Sequence, residues 1–213
     1  MGPVTSAREE ILGRIRTALA DRAEVPEVPW SYGLPVGTGD DDLVARFIER
    51  TADYHAAVER VSADGVAAAI AAALAGAGAT SVVADAEVRD RWASDVDVVW
   101  IDDNALAAGE LDPIHAVVTT ATVGIANTGT IVLDHGPGQG RRAISLVPDM
   151  HVCLVAVDQI VSDVPEAVAR LIESGSNTRP LTWISGPSAT SDIELDRVEG
   201  VHGPRTLHVI VIG

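Results

Sequence analysis

Apolar positions along this 213-residue chain change their rhythm near residue 62. Before that point they recur every three to four residues, the spacing of one helix face. Residues 5–22 predict a helix with Ile11, Leu12, Ile15 and Leu19 on one side. Residues 41–61 predict a second, with Leu43, Phe47, Tyr54 and Val58 on its stripe. Aspartates precede it, where negative charge suits the helix dipole. Between the two, EVPEVPWSYGLPVGTGDDD carries three prolines, three glycines and an acidic run, and reads as an extended linker.

Beyond residue 62 an alanine-rich helix (64–76) ends at Gly76 or Gly78, and a short helix is expected near 86–93. Around them stand short, valine-rich apolar runs: TSVVAD, VDVVWI, IHAVVTT, GTIVLDH, MHVCLVAV, PLTWIS and TLHVIVIG. Continuous apolar character without alternation is how strands read when both faces are covered. A helix from Pro165 to Ser174 has Asp163 as N-cap, Glu166 at N3 and Gly175 at its close. The pattern predicts an α/β fold, a doubly wound, mostly parallel sheet with a helical N-terminal arm. Residues 1–40 form the arm and linker, and 41–213 the α/β domain. In such folds ligands sit at the carboxyl ends of the strands. That directs attention to the loops after 130–134 and 181–185.

Charge narrows the chemistry. A formal net charge of −16 would repel a nucleic acid or an anionic membrane, so neither is an expected partner. All fifteen basic residues are arginine. Without lysine there is no Schiff-base lysine, no lysine-held pyridoxal phosphate and no P-loop lysine. The single cysteine, Cys153, cannot make an internal disulfide or supply the ligands of an iron–sulfur cluster. Between valine and leucine it reads as a small core hydrophobe. The longest apolar run, GVAAAIAAALAGAGA, is too short and too weakly apolar to cross a bilayer, and no secretory leader is recognised, so a cytoplasmic location is expected. His115, His135 and His151 are scattered, and no metal-ligand spacing is present.

Three loops carry candidate chemistry. In GPGQGRR, Gly136, Gly138 and Gly140 let the backbone approach a ligand closely, and Gln139, Arg141 and Arg142 add polar grips for a carboxylate or phosphate. In GPSATSDIE, Gly186, Ser188, Thr190 and Ser191 offer hydroxyls and amides to an anion. Ser191 and Glu194 also match a capping box, which predicts a short helix stopped by Gly200. In GVHGPR, His202 is the candidate proton carrier and Arg205 a candidate substrate anchor. The two glycine-bearing bends are expected to meet at one rim of the sheet around a small negative molecule.

The blocks GTIVLDHGPGQGRRAISLVPDMHVCLVAVDQIV and PLTWISGPSATSDIELDRVEGVHGPRTLHVIVIG resemble the LUD-domain family, in its lactate-utilisation branch. The resemblance runs from about Phe47 to the C-terminus. It implies a fold like that of phosphosugar isomerases and CoA transferases. It also implies a part in oxidising L-lactate to pyruvate beside partner proteins that carry iron–sulfur clusters, with no cofactor held by this chain. One departure stands out: the family often has GIAETGT where this chain has GIANTGT, with Asn127 in place of a carboxylate. The fold likeness leaves a second reading open, a stand-alone transferase or ligase binding a phosphorylated or nucleotide ligand. A third is a scaffold with no ligand at all.

Overall fold

A computed structural model describes residues 6–20, 27, 42–191, 197–199 and 202–213. The chain divides into two compact units, residues 1–32 and 33–213. In the first, helix α1 (Ala7–Ala18) is closed by a capping box: the Glu9 amide donates to Ser6 Oγ at 3.3 Å, and Glu9 Oε2 accepts from the Ser6 amide at 2.9 Å. The linker expected over 24–42 lies outside the described residues except for Glu27 and Asp42.

The second unit is built on a six-stranded sheet in which every neighbouring pair is parallel. Its order is β1 (Ala57–Val61), β12 (Thr206–Ile212), β7 (Met150–Ala156), β4 (Ala116–Thr120), β2 (Ser81–Ala84) and β3 (Val99–Asp102). Side chains alternate across its two faces. On one face Val82, Val118, Val152, Leu154 and Ile210 pack under α3 (Val66–Gly76) and α4 (Ala86–Trp92). On the other, Cys153, Val155, Leu207, Val209 and Val211 meet α2 (Leu43–Asp53) through Phe47, and a second sheet through Ile131 and Leu133. That second sheet has the order β8 (Ile160–Val161), β5 (Val123–Ile125), β6 (Thr130–Leu133) and β9 (Thr182–Ile184). Its far side is covered by α6 (Val164–Glu173), through Ala167 and Leu171. The short helix α5 (Ala108–Leu111) and the helical turn at 142–145 close a smaller apolar cluster around Val83, Val117 and Ile144. Phe47, Leu133, Val155 and their neighbours lose all contact with water, and this burial is the main favourable term in folding.

Two local expectations are corrected. The helix expected over 41–61 stops at Asp53. His55 takes φ +66°, and Ala57–Val61 then pairs with β12 as an edge strand. The helix expected after Ser191 is replaced by a ribbon. There β10 (Ala189–Ser191) runs antiparallel to β11 (Arg197–Glu199), while Asp192 to Asp196 lie outside the described residues.

Gly186 shows how tightly the two parts of this unit meet. Its φ is +80°, and an added Cβ would stand 2.6 Å from the Tyr54 carbonyl oxygen. A Gly186→Ala variant is expected to lose about 2 kcal/mol or more in urea unfolding, from left-handed strain plus the backbone clash.

Candidate functional site

A cavity of about 250 Å³ opens between the two sheets. Its floor includes His151 and Leu207, the second residues of β7 and β12. One wall is β9 and the turn after it, from Thr182 through Gly186 to Ser188. The other is Ser145 and Leu146 with the bend at His202, Gly203 and Pro204. The bends are stitched together: the Ser188 amide donates to the Pro204 carbonyl at 2.8 Å, and the His202 amide to Ser188 Oγ at 3.1 Å.

This position corrects the expectation that both glycine-bearing loops share one rim at the carboxyl ends of the strands. The cavity lies at the amino ends of β7 and β12. The GPGQG loop instead closes over the carboxyl ends of β2, β3 and β4. There the Gly138 amide donates to Asp85 Oδ1 at 2.9 Å, and the Gly138 carbonyl accepts from the Thr120 amide at 2.9 Å. The reason is topological. Strands β6 and β9 pair antiparallel, Leu133 opposite Thr182 and Ile131 opposite Ile184. The loop after β6 and the loop after β9 therefore leave from opposite ends.

The polar groups of the GPGQG loop are also engaged within the protein. Asp134 Oδ1 accepts from the Gly136 amide at 3.0 Å. Gln139 is buried; its Oε1 accepts from the Asp134 amide at 2.8 Å and its Nε2 donates to Thr122 Oγ1 at 2.8 Å. The Gly140 carbonyl faces His135 Nδ1 at 3.2 Å, and His135 Nε2 lies 2.8 Å from Thr182 Oγ1. Because a carbonyl only accepts, His135 carries its proton on Nδ1, and Thr182 donates to Nε2. Burial holds the His135 pKa below its ordinary value, and Arg142 adds to that, against the hydrogen bond to Gly140 and the charge of Asp134. Arg141 forks onto Asp103, both contacts 2.6 Å, and also donates to the Leu106 carbonyl. Gly136, Gly138, Gln139, Gly140 and Arg141 are thus parts of a folded clasp, away from the cavity.

Of the other sequence candidates, Gly186, Ser188 and His202 line the cavity. Arg142, His202 and Arg205 line an adjoining surface basin with Asp112 and Asp149. Arg205 stands 3.7 Å from Asp149, an exposed pair. Among the described residues no carboxylate lies within ion-pair distance of Arg142. Thr190 and Ser191 fall on β10, and their side chains lie outside the described residues. Asn127 is elsewhere: its Oδ1 accepts from Arg46 at 3.0 Å, tying the β5–β6 turn to α2.

His151 has no role in the sequence reading. It is 1% exposed, and burial pushes its pKa from 6.5 to about 4, so the ring is neutral near pH 7. Its Nε2 lies 2.7 Å from Thr119 Oγ1. Thr119 in turn lies 3.7 Å from Cys153 Sγ, whose thiol burial pushes up to about 12. The available signal was parity: residues 151, 153 and 155 share one face of β7, so this histidine points where Cys153 and Val155 point. Among the described residues no group of three or more His, Cys, Asp or Glu side chains could hold a metal ion, and no helix is long and apolar enough to cross a membrane.

Comparison with known proteins agrees with this architecture. A protein from Deinococcus radiodurans named lactate utilization protein C is 46% identical over 207 residues, covering 97% of this chain and 96% of that protein. A protein of the same name from Geobacillus thermodenitrificans is 25% identical over 210 residues, covering 88% of this chain and 87% of its own. A crystal structure of a DUF162 family protein from Deinococcus radiodurans superposes with a TM-score of 0.68 at 42% identity, covering 80% of this chain and 96% of that one. The model of the LUD domain matches residues 44–212. The chain belongs to the LUD-domain family.

Proposed function

We propose that this chain is a subunit of an L-lactate utilisation system. In it, L-lactate is oxidised to pyruvate with partner proteins that hold iron–sulfur clusters. The observation that carries the reading is the near full-length similarity to lactate utilization protein C of Deinococcus radiodurans. The cavity adds physical support. Its volume of about 250 Å³ suits a small acid and is tight for a nucleotide. Ser188 and His202 stand at its mouth, and Arg142 and Arg205 line the adjoining basin. In a chain of net charge −16, the Arg142 guanidinium in that basin, with no carboxylate within ion-pair distance among the described residues, offsets part of the field that would otherwise repel a carboxylate, while Arg205 shares its charge with Asp149. The electrons leaving lactate pass to the partners, because a lone buried cysteine offers no cluster ligand set.

Isothermal titration of the purified chain with L-lactate and pyruvate tests the binding half, and growth on L-lactate after gene deletion tests the physiological half. Both acids failing to bind, together with undiminished growth of the deletion strain, overturns the reading. The combined Arg142→Ala and Arg205→Ala variant is expected to weaken lactate binding about tenfold, the loss of a charge-assisted contact. Arg141→Ala leaves affinity within about twofold, since that guanidinium serves Asp103.

A further inference from the structure

The buried and half-buried polar side chains that line the cavity are Ser145, His151, Thr182 and Ser188. Ser145 Oγ donates to the Arg142 carbonyl at 3.0 Å, and Thr182 serves His135. Ser188 Oγ accepts from the His202 amide, and its own hydrogen has no acceptor among the described residues. His151 uses Nε2 on Thr119, and its Nδ1 has no partner among the described residues. His151 Nδ1 is not sealed inside the protein, so a ligand or water in the cavity can meet it.

The polarity of the chain behind His151 decides what Nδ1 offers. The Thr120 carbonyl can only accept, so Cys153 donates its S–H toward it at 4.0 Å. The sulfur accepts from the Thr119 hydroxyl at 3.7 Å, and the Thr119 oxygen then accepts Nε2–H at 2.7 Å. Turning the Thr119 hydroxyl round keeps the bond to the ring but gives up the one to sulfur. The arrangement with all three bonds leaves Nδ1 with a lone pair.

We infer that His151 is a ligand-binding residue that reads a hydroxyl group, so that the site takes a 2-hydroxy acid in preference to the matching 2-oxo acid. A ligand hydroxyl donates to Nδ1, whereas an oxo oxygen would set lone pair against lone pair. The Ser188 hydroxyl supplies the complementary donor to the carboxylate. Thr119 is the positioning residue, acting through the tautomer it imposes. Only the identity of the acid rests on the lactate reading.

The test uses the full chain labelled with ¹⁵N-histidine, with titrations of L-lactate and pyruvate. The wild-type protein is expected to show His151 as the Nε2–H tautomer, with an Nδ1 resonance that moves when L-lactate binds. L-lactate is expected to bind about tenfold more tightly than pyruvate, the contribution of one hydrogen bond to a ligand. Thr119→Val lowers that ratio at least about threefold, and Thr119→Ser restores it. An Nδ1–H tautomer in the free protein, or equal binding of the two acids, overturns the inference and leaves the lactate reading standing. Neither acid binding overturns the inference, and the lactate reading then falls as well if the deletion strain grows undiminished on L-lactate.

Discussion

Lowering the pH from 6.5 to 4 is expected to remove about 3 kcal/mol of stability through His151 alone, the linkage of a pKa lowered from 6.5 to about 4. The sign follows from proton counts. In that window the unfolded histidine binds a proton that the buried ring refuses, so acid favours the unfolded chain. The contribution is fully present above pH 6.5 and is lost as pH falls toward 4. Burial is the cause: among the described residues no carboxylate is bonded to the ring, and its partner is the Thr119 hydroxyl. His135, whose pKa is also lowered, contributes with the same sign, so the comparison must isolate one ring. Urea unfolding across this range, wild type against His151→Phe, does so. The variant loses the Thr119 hydrogen bond at every pH, and its slope between pH 6.5 and 4 flattens. An unchanged slope would show that His151 is already protonated or already exposed in the native protein.

Much of this architecture is legible from the residues. Valine-rich runs such as AVVTT and MHVCLVA have both faces covered in the six-stranded sheet, so period and composition agree there. The errors fall where short-range signals compete with long-range pairing. Tyr54 and Val58 extend the stripe of α2 by helical spacing, yet the chain turns at His55 and Val58 packs as part of β1. The SDIE motif satisfies a capping rule, but Ala189–Ser191 gains its hydrogen bonds from Arg197–Glu199 instead. Strands β5 and β8 span three and two residues, too few to show a period. The site was half legible for the same reason. Gly186 and Ser188 are readable as a bend rich in hydroxyls and glycine, and His202 as a candidate proton carrier in the loop before the last strand. That the GPGQG loop leaves by the other end depends on the antiparallel pairing of β6 with β9, which no local pattern encodes. Gln139 and Arg141 read as ligand grips because the same donors that bind anions also clasp Asp103 and the backbone of a tight turn.

The clasp carries the other large prediction. Asp134 is 6% exposed, and four donors converge on it: Thr122 at 3.0 Å, the Gly136 amide at 3.0 Å, Ser176 at 2.8 Å and Arg179 at 3.0 Å. Burial raises the pKa of its carboxyl, but the bonds from Ser176, Gly136 and Thr122, with the charge of Arg179, outweigh that and hold it below the ordinary value. Asp134→Ala strands three neutral donors in a buried pocket and is expected to cost about 3 kcal/mol in urea unfolding, discounted because Arg179 is half exposed and rehydrates. Asp134→Asn keeps the shape and two acceptor lone pairs, and costs less. The acid dependence of this group lies below that of His151. Its stabilisation is present above pH 3.8 and is lost as pH falls through the lowered native value. The two contributions are therefore separable in one pH series. Since the clasp sits at the carboxyl ends of β2 to β4 and the cavity at the amino ends of β7 and β12, folded Asp134→Asn protein is expected to bind L-lactate within about twofold of wild type. A larger loss of affinity would mean that the clasp reaches the cavity through the His135–Thr182 bond, since Thr182, paired with Leu133 at the end of β6, also lines the cavity.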